Sequence, residues 1–200
     1  MMTTILVLEL EKEHVDIGLV NEEIAMFTLY VSEFEDDLEE NKEYIKQWIG
    51  MNCDFPLQVI LTSYQKGTQD DVLQEHGFSF EHCVKGLEPT NIYQIKVETL
   101  SQVNFLLDTY YWLAAQNETF IIADPATKIE IEEHAVHRYI TMDATLSKHH
   151  GVLLKVEHDG QGVQLITTKK DWMYREGLQQ TLGSVHIEQW GEEYYGLADS

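Results

Sequence analysis

Two arginines, two cysteines and three prolines are all that 200 residues carry of those types, and each shortage excludes something. Arg138 and Arg175 are the only planar forks able to grip a phosphate or carboxylate at two points, which disfavours nucleotide and phospho-ligand chemistry. Cys53 and Cys83 match no zinc spacing such as a CxxC pair, and no secretory context supports a disulfide, so two buried free thiols are expected. Met1–Leu8 is apolar but lacks the positive flank and small-residue cleavage site of a signal peptide, and Glu9 and Glu11 end the run. No segment approaches the ~18–20 uninterrupted apolar residues of a membrane span. A cytoplasmic chain with no membrane contact is the expectation. Motifs are missing too. There is no GxSxG elbow, P-loop, GxGxxG or HExxH, and Gly160-Gln161-Gly162 sits in a turn. Internal repeats, low-complexity tracts and Gly/Ser linkers are absent.

Acid is abundant. The net charge is −22, from 13 Lys and Arg against 35 Asp and Glu. Both halves share it, with six lysines against 20 acids in residues 1–100 and seven basic residues against 15 acids in 101–200. Such a charge repels DNA, RNA and anionic membranes, because phosphates would be opposed rather than neutralised. It leaves two readings: plain solubility, or a surface for a basic partner, including mimicry of a nucleic acid. Hydrophobic residues make up 44% and recur periodically, which separates the chain from disordered acidic tails. The length suits one domain over 1–200, with a subdivision near 88–90, at Pro89, as the only boundary the sequence offers.

The clearest local unit is strand, helix, strand over 91–124. Ile92–Glu98 mixes β-branched, aromatic and polar residues as a partly buried strand does. Thr99 or Ser101 can cap a helix over Leu100–Gln116, whose stripe is Val103, Leu106, Leu107, Tyr110, Leu113 and Ala114, with Asn117 as its stop. Thr119–Ala123 is continuously apolar, a buried strand ended by Asp124-Pro125. The two strands run parallel if they share a sheet, or an antiparallel neighbour sits between them.

Elsewhere the pattern predicts strands at Thr4–Leu10, His14–Val20 and Ile24–Val31, with a helix over Glu22–Tyr30 as the alternative to the third. A helix capped by Ser32 runs to Gly50 with Phe34, Leu38, Ile45, Trp48 and Ile49 inward. A strand at Leu57–Ser63, a short helix at Asp70–His76 closed by Gly77 and a strand at Gly77–Val84 follow. Lys128–Glu132 alternates as an edge strand, Val136–Met142 suits another, and Ala144–His149 suits a short helix. Val152–Glu157 and Val163–Thr167 flank Asp159-Gly160, a hairpin signal. Asp171 can cap a helix to Leu182, and Val185–Trp190 alternates as a last strand. The fold class is α+β: a mixed, largely antiparallel sheet with three or four helices.

Function is carried by less. On the helix after Ser32, Glu35, Asp36, Asp37, Glu39, Glu40 and Glu43 share the outer face, either as a solvated surface or as a docking face for a basic protein. Five of nine histidines, His134, His137, His149, His150 and His158, fall within 25 residues, with Glu133 and Asp143 nearby. Imidazole and carboxylate are the donors that Zn²⁺, Ni²⁺ or Fe²⁺ require. His134 and His137 share a face only on a helix; on a strand they diverge. His82-Cys83 is a nucleophile and base only if the fold turns both inward. Tyr110-Tyr111-Trp112 is either a stacking platform or core with Tyr111 and Trp112 at the edge of the stripe. The first expectation is therefore a non-enzymatic, acidic protein-binding domain of inhibitor, antitoxin or immunity type, with no cofactor. The alternative is a metal-dependent enzyme using the 133–158 histidines and Zn or another divalent metal. A third is a small-ligand domain with an aromatic pocket.

Overall fold

The continuously apolar segments of the sequence become the middle strands of a sheet covered on both faces. The structure, a computed structural model, describes residues 4–10, 15, 17–30, 38–64, 69–85, 90–116, 118–134, 139–157, 160, 162–182 and 186–189. Its strands in chain order are β1 (Thr4–Glu9), β2 (Gly18–Leu19), β3 (Ala25–Tyr30), β4 (Leu57–Ser63), β5 (Ser79–Lys85), β6 (Thr90–Val97), β7 (Phe120–Ala123), β8 (Lys128–His134), β9 (Tyr139–Thr145), β10 (Val152–Val156), β11 (Gly162–Thr167) and β12 (His186–Gln189). The helices are α1 (Leu38–Asn52), α2 (Asp70–Glu75), α3 (Leu100–Ala114) and α4 (Arg175–Thr181). Among the described residues, nine strands form one sheet in the order β12-β1-β3-β11-β10-β7-β4-β6-β5, and β2-β9-β8 form a second. The ladders among the described residues are antiparallel except β1 with β12 and β2 with β9. The expected α+β class with a largely antiparallel sheet holds. Strands from both sides of the 88–90 point belong to the same large sheet.

Period-two alternation divides the core into two layers. Phe120 and Ile122 of β7, Val152, Leu154 and Val156 of β10, and Leu57, Val59 and Leu61 of β4 face the helices α1 and α3. Their neighbours Ile121, Ala123, Leu153 and Ile60 face the small sheet, where they meet Val15, Ile17, Ile129, Ala144 and Leu146. A strand buried on both faces has no polar side to show, which is why these segments read as unbroken apolar runs.

The 91–124 unit forms as the pattern implies, with one strand inserted. β4 lies between β6 and β7 and is antiparallel to both, so β6 and β7 run parallel without touching. The Thr99 hydroxyl accepts from the Gln102 amide, and the Gln102 side chain accepts from the Glu98 amide at 2.8 Å, a reciprocal cap that starts α3. Val103, Leu106, Leu107 and Ala114 are fully buried, each of the larger ones contributing about 1.5–3 kcal/mol of burial. Tyr110 and Tyr111 are both buried and Trp112 is 37% exposed. Tyr111 is thus core rather than edge. Its hydroxyl donates to the Gly160 carbonyl at 2.7 Å.

Two expected helices differ. Ala144–His149 is not helical: Ala144 and Thr145 end β9, and residues 148–150 are a turn. The Asn21 side chain explains it, donating to the Leu146 carbonyl at 3.0 Å and accepting from the Leu146 amide at 2.7 Å, so both backbone groups are engaged across the molecule. The helix expected from Asp171 begins later, at Arg175, after a 3₁₀ turn at Lys170–Trp172. A Cβ on Gly177 would stand 1.5 Å from the Asp171 carbonyl oxygen, so the helix folds back against the backbone of that turn and cannot include it. The thiols also differ from expectation: Cys53 is half-buried and Cys83 is exposed, on the edge strand β5. The Ser32 cap, Phe34 and the Asn117 stop lie outside the described residues.

Candidate functional site: a cavity at one end of the sheet

At one end of the large sheet β7 and β11 finish while β4 and β10 begin, and the connecting segments enclose a cavity of about 490 Å³. Its floor is apolar, from Leu57, Ile122, Val152 and Leu154, and Phe55 closes one side. The polar residues that line it are Cys53, Asp54, Asp124, Ser147, His150 and Lys169. A second hollow of about 350 Å³ adjoins it, sharing His150 and Lys169 and adding His149, Lys170, Asp171 and Trp172. Concave, mostly apolar sites of about 300–1,000 Å³ with a few polar groups are the usual form of small-molecule pockets.

The wall is fixed by Asp124. One carboxylate oxygen accepts from the Ala126 and Thr127 amides at 2.9 and 3.1 Å. The other accepts from the Thr127 hydroxyl at 2.6 Å and the Val152 amide at 3.0 Å. The Gln58 side-chain amide donates to the Asp124 and Thr127 carbonyls, so β4, β7 and β10 are knitted together at this edge. The loop bearing His150 is stitched to the segment bearing Lys169. Gly151 N donates to the Thr168 hydroxyl at 2.9 Å, that hydroxyl donates to the Ser147 carbonyl at 2.5 Å, and Thr167 donates to the Gly151 carbonyl at 2.9 Å. Gly151 permits the approach, since a Cβ there would lie 2.6 Å from the Leu146 Cβ.

Lys169 is the distinctive polar group. The residue is half-buried, and its ammonium sits 3.9 Å from the centroid of the Trp172 ring and 3.4 Å from the Asn52 carbonyl. Both contacts stabilise a cation without neutralising it. Burial pushes the nearby Cys53 thiol up to about 12, against the pull of Lys169, so Cys53 is protonated at neutral pH and is no nucleophile.

The residues expected to carry function fall elsewhere. Glu35, Asp36 and Asp37 lie outside the described residues; Glu39, Glu40 and Glu43 project from α1 into solvent. Lys42 and Lys46 reach from α1 to Asp108 of α3 and offset part of this face. Lys42 pairs with Glu39 at 2.6 Å and Asp108 at 3.4 Å, and Lys46 with Glu43 at 2.5 Å and Asp108 at 2.6 Å. Lys46, with Lys42 behind it, holds the Asp108 carboxyl below its ordinary range.

Among the candidate metal ligands, His149 and His150 are adjacent and exposed in the turn after β9, and His134 ends β8. His137 and His158 are outside the described residues, among which no group of three or more His, Cys, Asp or Glu is placed to hold a metal ion. His82 is turned away from Cys83. Its ring stacks on Tyr93 with centroids 4.4 Å apart, Nδ1 lies 3.1 Å from Asp70 and Nε2 lies 3.0 Å from the Asn91 side-chain oxygen. The Trp112 indole donates to the Thr109 carbonyl on its own helix.

Comparison with protein families, with curated proteins and with solved structures found no match to this chain.

Proposed function

We propose that this chain is a binding protein whose ligand is a small molecule with an apolar body, held in the cavity between Phe55, Leu57, Ile122 and Val152. The observation that carries the reading is a preformed, mostly apolar hollow of about 490 Å³, built on strand ends and braced by the Asp124 network. A site on rigid strand ends costs little ordering on binding, which favours recognition. The test is a titration with octanol followed by backbone amide chemical shifts. Saturable shifts should concentrate at residues 53–57, 122–126 and 152–154, and Ala126→Trp, which places an indole at the lining, should abolish them. Scattered shifts, or shifts indifferent to Ala126→Trp, overturn the proposal.

The charge of −22 favours a second reading, an acidic docking face for a basic protein of the inhibitor, antitoxin or immunity kind. Its supports are Glu39, Glu40 and Glu43 on α1, although Lys42 and Lys46 offset part of them. Low-salt capture by wild-type protein, compared with a variant carrying glutamine at all three positions, tests it. A set of bound proteins unchanged by the triple substitution removes this face from consideration.

A further inference from the structure

We infer that the ligand of this cavity carries a carboxylate on its apolar chain, the carboxylate meeting Lys169 at the mouth with His150 beside it. This rests on the cavity being a ligand site, and adds what the ligand must present there.

The chain holds 35 acids against 13 Lys and Arg, and its described lysines divide between those that meet a carboxylate and those that do not, such as Lys85, which donates to the Ile131 carbonyl. Lys42, Lys46, Lys96 and Lys128 all pair with Asp or Glu. Lys169 is half-buried, and its ammonium rests on an indole face and one backbone carbonyl. Among the described residues no carboxylate lies within ion-pair distance of it.

The cavity's own acids do not serve as its counter-ion. Asp124 already accepts from four donors, and its lone pairs are directed at the wall. Asp54 is exposed, and so is Asp171 in the adjoining hollow, where water screens both. An anion entering beside Lys169 would meet a cation already partly stripped of water, where the attraction is stronger than at the surface. His150 and, one residue further, His149 add hydrogen-bond donors at the same mouth. The stitching of Gly151 to Thr167 and Thr168 fixes the spacing between the imidazole loop and the lysine. Apolar floor and single cation together describe an amphipathic monoanion. A compact, multiply charged ligand would leave the floor of Ile122, Val152 and Leu154 unsatisfied.

The experiment compares octanoate, octanol and octylammonium by calorimetry below their micelle concentrations, on the full chain. Octanoate should bind at least tenfold tighter than octanol, about 1.4 kcal/mol, and octylammonium weakest. In Lys169→Met, which keeps the apolar stem over Trp172, the octanoate-over-octanol preference should collapse. Lys169→Arg should preserve it and guards against a loss caused by misfolding. If octanol binds as tightly as octanoate, or if Lys169→Met keeps the preference, the carboxylate inference is overturned while the cavity reading stands. If none of the three binds, the cavity reading fails and the inference goes with it.

Discussion

Replacing Asp124 should destabilise the protein even though the replacement removes one negative charge from a chain at −22. The side chain accepts from four donors, and their fates differ when it is cut back to alanine. Ala126 is exposed, so its amide returns to water. The Thr127 amide keeps the Asp124 carbonyl at 3.1 Å. The Val152 amide and the Thr127 hydroxyl lose their partner in residues that are 5% and 3% exposed. A buried donor left unpaired costs about 1–3 kcal/mol, so Asp124→Ala should cost about 3 kcal/mol, or about 6–12 °C in Tm for a chain of this size. Asp124→Asn should be nearly as damaging. It keeps one carbonyl oxygen for the Ala126 and Thr127 amides but turns an NH₂ towards the Val152 N–H. Urea unfolding of both variants measures the loss, an unchanged m-value assigning the midpoint shift to stability. General charge repulsion makes the opposite prediction, that removing an acid stabilises. A neutral or stabilised Asp124→Asn would refute the account of the wall given above.

Other substitutions test other parts. Tyr111→Phe removes the buried bond to the Gly160 carbonyl and should cost about 1 kcal/mol. Gly160→Ala should cost more in the same denaturation assay, because φ is +71° and the new Cβ would stand 3.0 Å from Leu38 Cδ2 and 3.3 Å from the Tyr111 ring. Burial raises the Glu118 carboxyl above its ordinary 4.5. Its stabilising contribution is therefore complete below that value and is lost as pH rises through the raised one. The stability of Glu118→Gln relative to wild type should accordingly be more favourable at pH 7 than at pH 4. Asp108 is the converse case, held below 3.8 chiefly by Lys46. What it contributes is present above that value and is lost as pH falls through the lowered one. Because the pairs are solvated, Asp108→Asn should cost under about 1 kcal/mol at neutral pH and still less in 1 M salt.

Most of the architecture was legible because local chemistry and long-range packing agree. The Thr99 cap, the Val103–Leu107 stripe and the unbroken apolar run at Phe120–Ala123 each have one good structural use. The sequence misled where a distant side chain took over the backbone. Asn21 captures Leu146 across 125 residues and turns an apparent helix into a strand end. The cavity was invisible for a related reason. Cys53, Asp124, His150 and Lys169 come from four separate connections, and only the strand order brings them to one end of the sheet. Asp124-Pro125 read as a strand stop, a reading that was right about local structure while silent about the wall its carboxylate builds. The acidic residues suffered the reverse error. Composition counts charges and not their partners, so the Lys42 and Lys46 ladder to Asp108 was outside its reach.

The strand order also sets the sequence in which the protein can assemble. β3 hydrogen-bonds to β1 locally, but its other neighbour is β11, and β1 is completed by β12. The earliest strands therefore wait, with both outer edges open, until residues beyond 160 have been synthesised. By contrast β4, β5, β6 and β7, with α3 between the last two, are contiguous in the chain and form adjacent ladders. Loop-closure entropy favours such short-range pairings first. The segment from Leu57 to Ala123 is thus the natural nucleus, and the first hairpin is recruited to it late, by way of β10 and β11. Until then the open edge of β3 is the part of the nascent chain most exposed to wrong pairing.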